Sequence, residues 1–241
     1  MRKRSLIFLL ILGLMLFSTG CSTKGVPDPN NGIWDRYFVY PLSETLNFFA
    51  KILFNNYGLS IIVVTIIIRF LVLPLMITQI KSQKAMQALQ PEITKIREKY
   101  KDNPQKIQEE TMKLFQKHNV NPLSGCLPIL IQMPILIAFY HAIMRNPDIS
   151  AHSFLWLQLG QKDPYYILPI LAAVFTYIQT VMMNTSVATT PQAVQQQKIM
   201  SIMMPLMILF IGITLPSALA LYWVVGNIFT IAQTKLITHK K

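Results

Sequence analysis

A single arginine in the middle of an apolar run constrains this chain more than any other feature. Residues Leu59–Ile80 contain the stretch Ser-Ile-Ile-Val-Val-Thr-Ile-Ile-Ile-Arg-Phe-Leu-Val-Leu-Pro, with Arg69 near its centre. About 20 helical residues rising ~1.5 Å each cross a hydrocarbon core of ~30 Å. An arginine at the midplane costs ~2.5–3.5 kcal/mol on insertion scales. Each surrounding Ile, Val, Leu or Phe returns roughly 0.3–0.6 kcal/mol. The apolar neighbours outweigh the one charge, so the segment inserts, and Arg69 must face water or a polar group rather than lipid. No Asp or Glu occurs in any of the apolar runs, so an intramembrane ion pair is not on offer. The pattern implies a water-filled cavity holding one fixed positive charge.

The rest of the composition agrees with a membrane protein. Hydrophobic residues make up 52% of the chain and charged residues only 13%, and apolar runs near 20 residues recur, which excludes an ordinary soluble core. The net charge of +12 is unevenly placed: nine basic residues fall between Lys81 and Lys117, and three more stand at Lys235, Lys240 and Lys241. Basic loops of this kind mark the cytoplasmic side, and they suit anionic lipid headgroups or RNA.

Residues 1–20 read as a signal peptide. Arg2, Lys3 and Arg4 form a basic start, Leu6–Phe17 an apolar stretch, and Ser18-Thr19-Gly20 precede Cys21. Small residues before a cysteine resemble a bacterial lipoprotein cleavage site, although Ser18 stands where such sites usually carry Leu. On that reading Cys21 is the lipidated (palmitate-bearing) N-terminus on the outer face. The other cysteine, Cys126, is a small apolar residue at a helix start, and no disulfide framework is indicated.

The segmentation follows hydropathy and punctuation. Residues 21–57 form an outer-face tether and an amphipathic helix, in which Leu42, Thr45, Phe49, Ile52 and Leu53 share a face. The first span is 58–80, with a kink expected at Pro74. Residues 81–121 are a cytoplasmic helical hairpin. Its two apolar stripes are Met86, Leu89, Ile93, Ile96, Tyr100 and Ile107, Thr111, Leu114, Phe115; Asn103-Pro104 supplies the turn. The second span is 122–145, irregular because of Pro128 and Pro134. An outer loop at 146–163, a third span at 164–184, a cytoplasmic loop at 185–197, a fourth span at 198–213, a fifth at 216–237 and a cytoplasmic tail at 238–241 complete the chain. The fold expected is all-α: five transmembrane helices with a cytoplasmic helical hairpin and an outer-face amphipathic helix. Placing the hairpin, the 185–197 loop and the tail inside puts the N-terminus outside and the C-terminus in the cytoplasm.

No catalytic constellation is legible, so the chain is not expected to be an enzyme. His118, His141, His152 and His239 are scattered, and no P-loop or dinucleotide fingerprint occurs, so neither a metal nor a cofactor is expected. A small-solute channel or transporter is the rival reading, since Pro-broken helices and a buried arginine are transporter parts. Against it, no intramembrane carboxylate is present for ion coupling, and the spans show no internal repeat. The polar residues inside the spans are few: Thr65, Arg69, Gln132, Thr176, Gln179, Thr180, Trp223, Asn227 and Thr230. They either line one aqueous groove with Arg69 or join helices by hydrogen bonds.

Four blocks carry a resemblance. They are Ile-Ile-Ile-Arg-Phe-Leu-Val-Leu-Pro-Leu around Arg69, the charged hairpin, Asn-Val-Asn-Pro-Leu-Ser-Gly-Cys-Leu-Pro-Ile-Leu-Ile-Gln-Met-Pro-Ile at 119–135, and Ala-Leu-Ala-Leu-Tyr-Trp-Val-Val-Gly-Asn-Ile-Phe-Thr-Ile at 218–231. In this order and spacing the chain resembles the YidC/Oxa/Alb family of membrane-protein insertases, in its five-span Gram-positive lipoprotein form, over about Ile33–Lys235. The resemblance implies a hydrophilic groove in the inner half of the bilayer, with Arg69, Gln179 and Trp223 at family groove positions. Thr65 and Asn227 are the further groove candidates. It also implies that a substrate helix slides along spans two and four, where Met133, Met200, Met203, Met204 and Met207 offer flexible side chains. Its expected partners are nascent membrane proteins and membrane lipids, with the ribosome, signal-recognition machinery and Sec translocon as further candidates and no direct DNA binding. The basic tail is short, which argues against strong independent ribosome binding. No nucleotide hydrolysis is expected. The implied location is the bacterial plasma membrane.

Overall fold

The computed structural model describes residues 25–101, 103–121, 127–183 and 191–239. The signal-peptide reading of 1–20, the lipidation reading of Cys21 and residues 122–126 of the second expected span lie outside them, as does the side chain of Met200. The described chain is mostly helical.

A π-helical turn, Asp35–Val39, leads into α1, Tyr40–Ile52. The face α1 buries is Ser43, Leu46 and Ala50; Phe48 and Ile52 stay exposed. The next helix, α2, runs unbroken over Tyr57–Ala88 with Pro74 inside it. Asn56 starts it by accepting from the Leu59 amide at 3.0 Å, which satisfies one of the donors every helix start leaves open. Ser60 Oγ donates to Leu46 O at 2.6 Å and ties α1 to α2.

At 32 residues α2 measures about 48 Å. By length and composition it is the one described helix able to cross a membrane; Ile167–Met182 and Ser201–Thr214 are shorter apolar helices. It extends beyond the expected boundary at residue 80 and stops at Leu89. Pro91 lies in the first turn of α3, Gln90–Lys99, where a missing N–H costs nothing. Asn103 then caps α4, Pro104–Lys117, through the Lys106 amide at 3.0 Å. The end of α2, α3 and α4 bury a small core of their own: Met86, Leu89, Ile93, Leu114 and Phe115.

The remaining elements are α5, Leu127–Arg145; α6, Pro147–Ala151; a two-stranded hairpin of β1, Ser153–Phe154, and β2, Leu157–Gln158; α7, Ile167–Met183; α8, Pro191–Thr214; and α9, Ser217–His239. Register in the hairpin pairs Ser153 with Gln158 and Phe154 with Leu157. The helix α8 begins earlier than the polar composition of 185–197 suggests, since a Gln-rich stretch is a good helix former even where it is not apolar. The best-packed contacts join α7 to α8, α9 to α7, α9 to α2, and α2 to α1. The main core, including Ile61, Val64, Phe139, Ile143, Leu219 and Tyr222, therefore centres on α9.

Candidate functional site

Three helices bring polar groups to Arg69. The helix α2 carries Arg69 on its flank toward α9, just below the buried Val64 and Thr65. The facing residue is Gly226. A Cβ placed there would stand 3.1 Å from Arg69 Nε and Cζ and would overlap Nη2. One turn earlier on α9, the Tyr222 hydroxyl lies within electrostatic range of the guanidinium. Gln132 Nε2 on α5 donates to that same hydroxyl. The Tyr222 ring is fixed by stacking on Phe139, with centroids 4.4 Å apart. Among the described residues the ion pairs join Lys106 and Lys113 to Glu109 and Glu110, His118 to Glu92, and Arg145 to Asp35. Arg69 is in none of them, and it is half-buried.

An apolar cavity of about 350 Å³, toward the start of α9, is lined by Leu136, Ile137, Tyr140, Ile211, Leu219 and Trp223 among others. It is bounded by α5, α8 and α9. Trp223 is the neighbour of Tyr222 in sequence, so one helix presents the polar side to Arg69 and the apolar side to the cavity.

The other candidate residues are distributed differently. Asn227 is buried and its amide donates to Thr176 Oγ1 at 2.8 Å and Ala172 O at 3.3 Å, joining α9 to α7. Thr65 is buried and donates back to Ile61 O at 2.6 Å within its own helix. Gln179 is half-buried on α7. Met133 on α5 and Met203 and Met207 on α8 are exposed, and Met204 is half-buried. Sequence reasoning passed over Tyr222 and Gly226; the one trace was a small residue one helical turn after an aromatic.

A second charged cluster sits at the far end of α5. Arg145 holds Asp35 through both terminal guanidinium nitrogens, Nη1 at 2.7 Å, and its Nε donates to Gly25 O at 2.7 Å. Burial would by itself raise the Asp35 carboxyl, but the hydrogen bonds and charge of Arg145 outweigh it and hold it below the usual value. Asn146 next to it donates to Ser43 Oγ and Asn47 Oδ1, so α5 is locked to α1.

Residues 48–241 match the family model described as 60Kd inner membrane protein. The chain belongs to that family. Its match to named members runs nearly end to end. It is 55% identical to the membrane protein insertase MisCA of Bacillus subtilis, over 98% of this chain and 92% of the relative. It is 54% identical to membrane protein insertase YidC 2 of Bacillus anthracis, over 98% and 94%. It is 51% identical to membrane protein insertase YidC of Oceanobacillus iheyensis, over 98% and 97%. These 60Kd inner membrane protein relatives are named as insertases rather than as enzymes, and membership makes this chain a bacterial membrane protein. The YidC/Oxa resemblance of the four sequence blocks is thereby shown.

Proposed function

We propose that this chain inserts nascent membrane proteins through a groove whose charge is Arg69. In this reading α2, α5, α7, α8 and α9 are the five spans, and α3 and α4 lie in the cytoplasm. Length alone agrees with it: α5 at 19 residues and α9 at 23 reach about 28 and 35 Å, and α7 at 17 reaches about 26 Å. The N-terminus is outside, where a lipid on Cys21 would anchor it.

The observation that carries the reading is Arg69, without a carboxylate partner among the described residues, set against α9 at Gly226. An arginine in low dielectric attracts an acidic side chain more strongly than one in water. A substrate with acidic residues in a short outer tail is drawn part-way across by that charge. Its apolar helix meanwhile lies along α5 and α8, where Met133, Met203 and Met207 are exposed. Release into lipid completes insertion by apolar burial, with no nucleotide consumed. Trp223 lines the apolar cavity and Gln179 is the candidate that α7 offers to the groove, while Asn227 joins α9 to α7 and Thr65 is bonded within α2.

The test is photocrosslinking from position 69 to a stalled single-span chain with an acidic tail, in membranes. A crosslink that disappears on chain release supports the groove. Failure to crosslink, with position 69 reachable by water-soluble reagents and solute flux across empty liposomes, favours a channel or transporter instead.

A further inference from the structure

The β1–β2 hairpin is built against the usual rules for its loop. A two-residue hairpin loop favours Asn-Gly or a leading glycine, because its first central residue takes a positive φ. Here that residue is Leu155, with φ 56°, followed by Trp156. Leucine is among the worse choices for a left-handed backbone. It is also 72% exposed, so packing within the chain does not explain it.

The base of the hairpin, by contrast, is firmly held. Phe154 lies against Gly58 of α2 so closely that no side chain fits at that position. Leu157 and Leu159 are buried. Ser217 Oγ donates to Gln158 O at 2.8 Å and Ala218 N to Leu159 O at 3.2 Å, fixing the hairpin to the start of α9. A rigid base therefore presents a strained apolar tip.

The tip is not isolated. Trp156 Nε1 donates to Asp163 Oδ1 at 3.2 Å, and the other oxygen of Asp163 accepts the Leu168 amide at 2.8 Å in the first turn of α7. Tyr165 and Tyr166 are exposed beside it, Tyr166 also at positive φ. From there an exposed apolar stripe descends α7 through Ile170, Val174 and Val181. Trp and Tyr at the head of a lipid-facing stripe, each with an apolar body and one polar handle, are the composition of a membrane interface.

We infer that the Leu155–Trp156 tip, with Tyr165 and Tyr166, is an anchor seated in the headgroup–acyl boundary of the outer leaflet. The inference rests on the reading of α7 as a span. Its partner is lipid rather than protein, because the patch continues directly into the α7 stripe and Lys162, next to it in sequence, is exposed at its edge. A protein partner would be expected to meet pairing charges there. The anchor fixes the depth of the start of α7, and through Ser217 that of α9.

The experiment uses the full chain in phosphatidylcholine–phosphatidylglycerol vesicles, with Trp34→Phe and Trp223→Phe leaving Trp156 as the reporter. Lipids brominated near the glycerol end should quench most of its emission, lipids brominated near the chain end much less, and aqueous iodide little. Adding Leu155→Asp should expose Trp156 to iodide. A companion chain carries Val174→Trp as its sole tryptophan and should be quenched by the deep bromines. Iodide quenching of Trp156 with bromine quenching of the Val174→Trp reporter overturns the anchor alone. Iodide quenching of both overturns the anchor together with the spanning reading of α7. Protection of Trp156 from bromine and iodide alike overturns it in favour of a protein contact. If the single-tryptophan chain fails to fold, the difference between the unaltered chain and Trp156→Phe reads the same quenching.

Discussion

The Arg69 guanidinium occupies the space that a side chain at Gly226 would fill. The two residues sit on different helices, α2 and α9, so the depth and direction of the charge are set by a missing Cβ. Gly226→Val would force the guanidinium away from Tyr222 or push the helices apart. The expected outcome is a loss of insertion of acidic-tailed substrates approaching that of Arg69→Ala, with Arg69→Lys in the native Gly226 background retaining most of it. An in vitro insertion assay on substrates with and without tail acids reads this. Normal insertion by Gly226→Val would show that the placement of Arg69 against α9 is unimportant.

Tyr222 holds the second part of that arrangement. It is 3% exposed and receives Gln132 Nε2 on its hydroxyl. Tyr222→Phe keeps the stack on Phe139 but leaves Gln132 without its partner, a change worth about 1–3 kcal/mol when the orphaned group is buried. Gln132 is half-buried, so the low end of that range applies, and insertion of acidic-tailed substrates should fall about five-fold while tail-neutral substrates change little. Equal losses on both kinds of substrate would reduce Tyr222 to a packing residue.

The Asp35–Arg145 pair should make the outer end of the protein acid-sensitive. The Asp35 carboxyl is held below its ordinary value. A group with a depressed folded pKa contributes stability that is complete above its unfolded value of about 3.9 and is lost as pH falls through that value to the folded one. Both side chains are buried, at 0% and 7% exposure, so removing one partner leaves a charge without compensation, at about 3–5 kcal/mol. Asp35→Asn should therefore lower the unfolding midpoint in detergent near neutral pH and flatten its decline in acid. Parallel acid profiles for the two proteins would contradict this.

How much of this was legible in the sequence depends on what set each feature. Ile107, Thr111, Leu114 and Phe115 recur at helical spacing, and that is the face α4 buries. Arg69 stood out because a lone charge in an apolar run has few physical explanations. The face of α1 was legible only in part: of the stripe Leu42, Thr45, Phe49, Ile52 and Leu53, Leu42 and Phe49 pack half-buried against the core, but the fully buried residues are Ser43, Leu46 and Ala50. Ser43 and Ala50 are too small to register as an apolar stripe, while Phe48 and Ile52 remain exposed. The Arg69–Gly226 contact and the Asp35–Arg145 clamp join residues more than a hundred positions apart, and no local pattern encodes such pairs.

Asn227 supplies a test of helix joining as distinct from groove lining. Its amide bridges α9 to Thr176 and Ala172 on α7. Polar contacts of this sort between membrane helices average ~0.6 kcal/mol and reach ~1.7 kcal/mol in double-mutant cycles. Asn227→Ala combined with Thr176→Ala should show coupling in that range by detergent unfolding. Insertion should then fall no further than the stability loss explains. Strong loss of insertion at unchanged stability would instead place Asn227 in contact with substrate.

Leu155 offers a substitution with opposite effects in two environments. Leucine in the left-handed region costs about 1–2 kcal/mol, and glycine does not bear that cost. Glycine in turn frees the unfolded chain by about 0.4–1 kcal/mol. Leu155→Gly should therefore leave stability in detergent unchanged or raise it by up to ~1.6 kcal/mol. In vesicles it removes the most exposed apolar side chain of the tip, and Trp156 should become more accessible to aqueous iodide. A sharp destabilisation in detergent would mean that Leu155 packs within the chain after all, and that the left-handed turn serves the fold rather than the membrane.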